Sequence, residues 1–136
     1  MSFAKGFSEI VLVMADVQRS AEFYREVVGL TPNTEPSDEW AWFWSGEPEA
    51  SARLGLHKGK LLFKEHSQLQ EGSRFGKIHY AFEVDADRLD AARAHVESKG
   101  VPVYGPTFFE WMNAKSYYFY DPDQNLLEFW APQPSA

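Results

Sequence analysis

Apolar and polar residues alternate along two short stretches of the chain, and each stretch leads into a segment with helical periodicity. Alternation with a period of two predicts a strand, whereas apolar residues three and four positions apart predict a helix. The strand-to-helix pairs are EIVLVMA (9–15) with AEFYREVV (21–28), and HYAFEV (79–84) with DRLDAARAHVESK (87–99). The order of elements is therefore repeated, which predicts two copies of one structural unit.

Both predicted helices carry start and stop signals. Asp16 precedes the first helix and Asp85 or Asp87 precedes the second, as expected of residues that cap a helix N-terminus. Gly29 and Gly100 follow the helices, each with an apolar residue behind it, which is typical of a glycine C-cap. The apolar stripes that should face a sheet are Phe23, Val27 and Leu30 in the first helix and Leu89, Ala92 and Val96 in the second.

Three short strands are predicted after each helix. They are TPNTE, EWAWFWS and ARLGLH in the first copy, and VPVYG, TFFEWM with SYYFYD across a turn at Asn113, and NLLEFW in the second. The predicted fold class is therefore α+β, with two βαβββ modules in one domain of 136 residues. We place the modules at about 7–58 and 77–131 and a polar linker at 59–76.

Four ionisable residues stand at matching places in the two copies. The spacing that relates the two C-cap glycines also relates His57 to Glu128, and nearly the same spacing relates Glu9 to His79. A lone histidine or glutamate at a strand end is usually structural, but a matched set favours a site. Nitrogen and oxygen ligands without sulfur suit one divalent ion such as Mn, Fe, Ni or Zn.

Glu128 is the strongest single signal, because it lies between Leu127 and Phe129 in what should be a buried strand. Burying a carboxylate without a partner costs several kcal/mol, so a positive group should meet it. A metal ion would compensate both carboxylates of the predicted set. Glu9 and Glu128 are also the candidate catalytic bases, and the sequence does not rank them.

Composition excludes several classes of partner and site. The formal net charge of −7 argues against a nucleic-acid partner, and the absence of cysteine excludes disulfides, thiol nucleophiles and thiolate metal sites. The start MSFAKGF lacks a secretory pattern and the apolar run at 10–15 is too short to span a membrane, so a cytoplasmic protein is expected.

Aromatic residues make up 16% of the chain. Trp40, Trp42 and Trp44 alternate along a predicted strand and so lie on one face of it.

Three stretches carry a resemblance to a known family: ADVQRSAEFYREVVGL, HYAFEVD and YFYDPDQNLLEFW. The chain resembles the vicinal oxygen chelate superfamily, which includes glyoxalase, fosfomycin-resistance, extradiol dioxygenase and bleomycin-resistance proteins. The resemblance implies that the modules form an open, U-shaped, barrel-like sheet with the helices outside. It also implies that metal ligands come from the first and last strand of each module.

The ligand pattern of the family is matched directly by His79 and Glu128 in the second module. The first-strand position of the first module is usually histidine or glutamine, and here it is Glu9. The last-strand position there is often glutamate; the match is His57, or Gly55 in an alternative register.

The resemblance implies a metal-dependent enzyme that binds a small substrate through two adjacent oxygens. Isomerase or lyase chemistry would use all four ligands, epoxide opening would use three, and dioxygenase chemistry would use His57, His79 and Glu128. The alternative is a non-catalytic, bleomycin-resistance-type protein that sequesters a cationic or aromatic molecule in a Trp-lined groove. A further alternative is a site that no longer binds metal. Homodimerisation is also implied.

Candidate substrate-binding residues complete the predictions. They are Trp42, Trp44, Trp111 and Tyr118, of which Trp111 is expected on a late strand together with Trp130. The closing hairpin has Gln124 where the family usually has glycine, and we expect Asn125 to take the left-handed backbone conformation.

Overall fold

The computed structural model describes residues 3, 5–58 and 79–135. The chain divides into two compact units, Met1–Phe75 and Gly76–Ala136. The linker predicted at 59–76 lies outside the described residues. Each unit contains one four-stranded sheet and one principal helix.

The first unit has the order strand, helix and three strands. Its elements are β1 (Glu9–Met14), α1 (Val17–Phe23) continued by a π-helical turn (Tyr24–Val28), β2 (Thr31–Pro32), β3 (Trp40–Trp44) and β4 (Arg53–Lys58). The strands lie in the order β1-β4-β3-β2. β1 and β4 are parallel, and the other two pairs are antiparallel.

The predicted helix signals of the first unit are confirmed. The Asp16 carboxylate accepts a hydrogen bond from the Arg19 backbone N–H at 3.1 Å, as an N-cap does. Gly29 has a φ of 87°, the left-handed conformation that glycine adopts without a steric penalty. The predicted apolar stripe of this helix is buried.

The second unit repeats this order. Its elements are β5 (His79–Glu83), a 3-10 turn (Ala86–Arg88), α2 (Leu89–Ser98), β6 (Tyr104–Phe109), a 3-10 turn (Glu110–Met112), β7 (Ala114–Tyr120) and β8 (Leu126–Pro132). The strands lie in the order β5-β8-β7-β6, with β5 and β8 parallel and the others antiparallel. The two βαβββ modules and the α+β class are therefore confirmed.

Three local predictions for the second unit are wrong. VPVYG and TFFEWM do not form separate strands, because β6 starts at Tyr104 and runs to Phe109. Trp111 lies in the 3-10 turn after β6 and not on a strand. In the closing hairpin Gln124, not Asn125, has the left-handed backbone, with a φ of 67°.

One face of each sheet is apolar and buried, and the helix of the same unit packs on it. In the first unit this face consists of Leu12, Met14, Ala41, Phe43, Leu54 and Leu56, and in the second of Tyr117, Phe119, Leu127, Phe129 and Ala131. Because side chains alternate along a strand, the ionisable residues predicted from the sequence lie on the opposite faces. Among residues 5–58 and 79–135, no helix is both long enough and apolar enough to cross a membrane.

Candidate functional site

The buried carboxylate of Glu128 has three polar neighbours on the adjacent strands. The Ser116 hydroxyl donates a hydrogen bond to Oε2 at 2.5 Å. Tyr118, which faces Glu128 in the β7–β8 register, also hydrogen-bonds to the carboxylate. His79 Nε2 lies 3.5 Å from Oε1. Glu128 is only 5% exposed, so these neighbours determine its environment.

The parallel register of β5 and β8 explains why His79 meets Glu128. Ala81 is the register partner of Glu128, and His79 lies two residues earlier, so both side chains project from the same face. Metal–ligand bonds of about 2.1 Å put neighbouring ligand atoms roughly 3.0–3.4 Å apart, close to the observed separation. The His79 side chain is 58% exposed, whereas the Glu128 side chain is buried. The pair therefore lies at the boundary between the buried part of the sheet and the accessible surface.

Tyr118 is held in its protonated form by this environment. Burial raises the pKa of the Tyr118 hydroxyl above its ordinary value, and the charge and hydrogen bond of Glu128 raise it further. A neutral phenol donates a hydrogen bond to a carboxylate, whereas a phenolate would repel it. The Tyr118 hydroxyl therefore remains a hydrogen-bond donor to Glu128 below its raised pKa.

Glu9 has a different partner in the first unit. It is the register partner of Arg53, the first residue of β4, and the Arg53 Nη2 lies 3.0 Å from Oε1 of Glu9. The Ser8 hydroxyl also donates to the same oxygen at 3.2 Å. The carboxylate is thus already neutralised by a guanidinium within its own unit.

Glu9 and His57 are not brought together. The register partner of His57 is Val13, four residues beyond Glu9, which separates the two positions by about 13 Å along the parallel strands. The His57 ring instead packs on Trp40, with ring centroids 4.0 Å apart. The prediction that His57 is a ligand of the same ion therefore receives no support from the register.

Gly55 holds the place in the first unit that Glu128 holds in the second. Val11 pairs with Gly55 as Ala81 pairs with Glu128, and each partner lies two residues after the first-strand candidate ligand. Trp42 lies against Gly55, because a Cβ added there would be 2.6 Å from Cζ3 of the indole. An aromatic ring thus covers the position at which a fourth ligand would stand.

The predicted tryptophan face is present on β3. The rings of Trp40 and Trp42 are stacked, with centroids 5.4 Å apart and planes inclined by 8°. The Arg53 guanidinium carbon lies 5.0 Å from the centroid of Trp42, so this indole already carries a cation. Trp44 projects from the same face and is half-buried. Trp111 lies in the 3-10 turn after β6 and is 82% exposed.

The residues of the second unit fit a divalent ion better than those of the first. His79 and Glu128 offer one nitrogen and one carboxylate at a separation that suits adjacent ligands. Of the two ligands predicted in the first unit, Glu9 is engaged by Arg53 and His57 packs on Trp40. Within the described part of either unit, no three histidine, aspartate or glutamate side chains group closely enough to hold an ion.

Sequence reasoning missed Ser116 and Arg53. Ser116 stands two residues before Tyr118, so alternation along β7 places both on the face of Glu128, and that signal could have identified it. Arg53 and Glu9 begin the two parallel strands, but their pairing depends on a register that the sequence does not reveal. The choice between His57 and Gly55 depends on the same register.

Comparison with known proteins agrees with this architecture. Residues 6–129 match the family model of the Glyoxalase/Bleomycin resistance protein/Dioxygenase superfamily. The chain belongs to this superfamily. Among curated proteins, none matches the chain.

Solved structures resemble the chain over nearly its whole length. An integron cassette protein, HFX_CASS4, from the mobile metagenome of a Halifax Harbour sewage outfall is 29% identical, with a TM-score of 0.71, covering 94% of this chain and 99% of that one. The integron cassette protein VCH_CASS1 from V. cholerae is 25% identical, with a TM-score of 0.74 and coverage of 98% and 99%. The fosfomycin resistance protein FosX of Listeria monocytogenes is 22% identical, with a TM-score of 0.70 and coverage of 96% of both chains, and shows the shared fold alone.

Proposed function

We propose that this member of the superfamily is a metal-dependent enzyme whose divalent ion is held by His79 and Glu128, with Glu9 as the third ligand. The observation that carries the proposal is the pair formed by His79 and the buried Glu128 on adjacent parallel strands. Hydrogen bonds from Ser116 and Tyr118 satisfy the carboxylate but bring no positive charge. A metal ion shared with His79 would supply that charge.

A set of three ligands is favoured over four, because Gly55 takes the place of the fourth and Trp42 covers it. Two of the reaction types predicted from the sequence use three ligands. Dioxygenase chemistry would use His57 with His79 and Glu128, whereas epoxide opening is compatible with Glu9, His79 and Glu128. The bound ion would supply Lewis-acid polarisation of a substrate that presents two neighbouring oxygens. We therefore propose ring opening, or a comparable addition of a nucleophile, as the reaction class.

The chain's own residues would act on the substrate in distinct ways. Ser116 and Tyr118 fix the orientation of the Glu128 carboxylate through their hydrogen bonds. Glu9 is more than a third exposed and so has access to water. In a state in which it does not hold the ion, it is our candidate for accepting a proton from the nucleophile. Trp42 and Trp44 would form an aromatic wall for the substrate.

The binding-protein alternative rests on the stacked indoles of Trp40 and Trp42. A cationic guest over Trp42 would have to displace Arg53, which already lies over that ring. The alternative also gives no role to the buried pair of His79 and Glu128. It remains the proposal to adopt if the chain binds no metal.

Metal binding by the purified, untagged protein tests the proposal. The protein is reconstituted separately with Mn, Fe(II), Ni and Zn, and bound metal is quantified beside Glu128→Gln, His79→Gln and His57→Gln. We expect about one ion per chain in the wild type and in His57→Gln, and loss in the other two variants. Absence of metal from the wild type under every condition would contradict the proposal, and loss in His57→Gln would restore the four-ligand set.

A further inference from the structure

The open face of the first unit, which is the sheet face opposite α1, carries one permanent cation. Its side chains come from β1, β3 and β4, and those that are charged or titratable are Glu9, Arg53 and His57. A guanidinium is charged at every physiological pH, whereas an imidazole titrates near neutrality. Among the residues that the structure describes, Arg53 is therefore the fixed positive charge of this face.

Arg53 is held in place but keeps most of its hydrogen-bonding capacity. Its Nη2 donates to Oε1 of Glu9 at 3.0 Å, and its guanidinium carbon lies 5.0 Å from the ring centroid of Trp42. A guanidinium has N–H donors on every nitrogen, and within residues 3, 5–58 and 79–135 the Glu9 oxygen is the one acceptor of this side chain. The Arg53 side chain is 36% exposed, so an acceptor from solution can reach it.

Indole rings on β3 surround the guanidinium. Trp44 is the register partner of Arg53, and Trp42, which carries the guanidinium, is itself stacked on Trp40. Contact with an indole restricts the arginine side chain and removes part of its water. Hydrogen bonds to an anion are stronger where water is partly excluded. The open face thus combines a cation with unused donors and aromatic surface at its side.

We propose that Arg53 recognises a carboxylate group of the substrate, while the indoles beside it contact a planar part of the same molecule. The proposal rests on the proposed function, because that function places the substrate against Trp42 and Trp44. The forked donors of arginine match the two oxygens of a carboxylate. The ligand class is therefore planar organic acids. A cationic guest is disfavoured, because Arg53 already lies over Trp42.

Binding of benzoate to the metal-free protein tests the proposal. Benzamide is the matched neutral probe, since it has the same ring and nearly the same shape, and benzylammonium is the cationic probe. Titrations are followed by NMR of the arginine Nε–H groups. We expect benzoate to bind with a Kd of roughly 1 mM and benzamide to bind at least about tenfold more weakly. Absence of benzoate binding, or tighter binding of either other probe, would contradict the proposal.

Arg53→Met assigns the binding to this residue. Methionine keeps an unbranched side chain against Trp42 but carries neither charge nor N–H donors. Benzoate should bind about tenfold more weakly to the variant, because charge-assisted hydrogen bonds to a partly exposed group are lost. Benzamide binding should change much less. An Arg53→Met variant that binds benzoate as tightly as the wild type would overturn the proposal.

Arg93→Met is the matched control in the second unit. Arg93 also lies over an aromatic ring, that of Tyr117 at 5.4 Å, and it is ion-paired with Glu97. Its side chain is 40% exposed, close to the 36% of Arg53. Its replacement changes the net charge by the same amount, so benzoate affinity should change less than about twofold. Equal losses in the two variants would assign the effect to net charge and contradict the proposal.

This proposal and the proposed function fail in different ways, because the benzoate titration uses the metal-free protein. If the protein binds metal but its benzoate affinity does not depend on Arg53, only the carboxylate proposal fails. If it binds benzoate through Arg53 but binds no metal, the proposed function fails and the carboxylate site stands. Thermal unfolding in the presence of chelator checks that each variant is folded, and Arg53→Gln replaces Arg53→Met if the latter is not.

Discussion

Gln124 holds a left-handed backbone in the turn between β7 and β8, where a side chain is unfavourable. Its φ is 67°, and its N–H donates to the Asp121 carbonyl at 3.0 Å. The Asp121 carboxylate accepts from the N–H groups of Asp123 and Asn125 at 2.9 Å each, which fixes the turn. The surroundings thus impose on Gln124 a conformation that costs about 1–2 kcal/mol for a residue other than glycine.

Gln124→Gly should therefore stabilise the protein. Relief of the strained backbone outweighs the greater unfolded-state entropy of glycine, and the expected gain is about 0.5–1 kcal/mol in the free energy of unfolding. Urea unfolding in the presence of chelator measures it. Gln124→Ala is the control and should give no gain, because alanine keeps the strain; a less stable Gln124→Gly would show that the glutamine side chain contributes contacts.

Tyr118 gives a prediction on pH dependence. Burial raises the pKa of its hydroxyl above the ordinary value, and the charge and hydrogen bond of Glu128 raise it further. Because the folded state holds this proton more tightly than the unfolded state, stability should fall as the pH rises above about 10 toward the folded-state pKa. Chemical unfolding from pH 8.5 to 11 checks it.

Tyr118→Phe is the control for that titration. The variant should lose part of the alkaline slope but not all of it, because burial and the Asp90 hydrogen bond also raise the pKa of Tyr117. An unchanged slope in Tyr118→Phe would show that Tyr118 titrates at an ordinary pKa. Both tyrosines lie on β7 but on opposite faces, so the two contributions are independent.

At the scale of elements, the pairing of β3 and β4 depends on glycine at position 55. An added Cβ would lie 2.6 Å from Cζ3 of Trp42, which is closer than two non-bonded carbon atoms approach in proteins. Gly55→Ala should therefore displace the indole and cost about 1–3 kcal/mol, as overpacking does. Gly46→Ala is the matched control, because a Cβ there would meet Ser51 at an ordinary 3.4 Å.

The same variant tests whether Trp42 causes the cost. In a Trp42→Phe background the smaller ring should accommodate alanine, so Gly55→Ala should cost less than it does beside tryptophan. Urea unfolding of the four proteins gives the coupling energy. Equal costs in both backgrounds would mean that the strain at position 55 comes from the backbone and not from the indole.

Elements were predictable from the sequence where the signal is local. Period-two and helical patterns, Asp16 and the C-cap glycines depend on neighbouring residues, and the structure confirms them. Register was not predictable, because it depends on pairing between strands that lie far apart in the sequence. The spacing along the chain matches Glu128 with His57, whereas the strand register matches it with Gly55, two residues earlier. The sequence alone does not reveal this difference of two residues.

At the scale of the whole molecule, the two units are alike in topology but unlike in chemistry. In the second unit the sheet face carries His79 and Glu128, whereas in the first the matching places hold Glu9, paired with Arg53, and Gly55. An internal repeat thus conserves the backbone while the ligand-bearing positions diverge.

Thermal unfolding can test which of the proposed residues bind a divalent ion. A ligand that binds only the folded state stabilises it by about 2.7 kcal/mol when its free concentration is one hundred times its Kd. At a fixed metal concentration the rise in Tm should be largest in the wild type, smaller in Glu9→Gln and absent in Glu128→Gln. His57→Gln should retain the full rise. A rise in Glu9→Gln equal to that of the wild type would confine the ion to the second unit, because a ligand that contributes binding energy cannot be removed without lowering the linked stability.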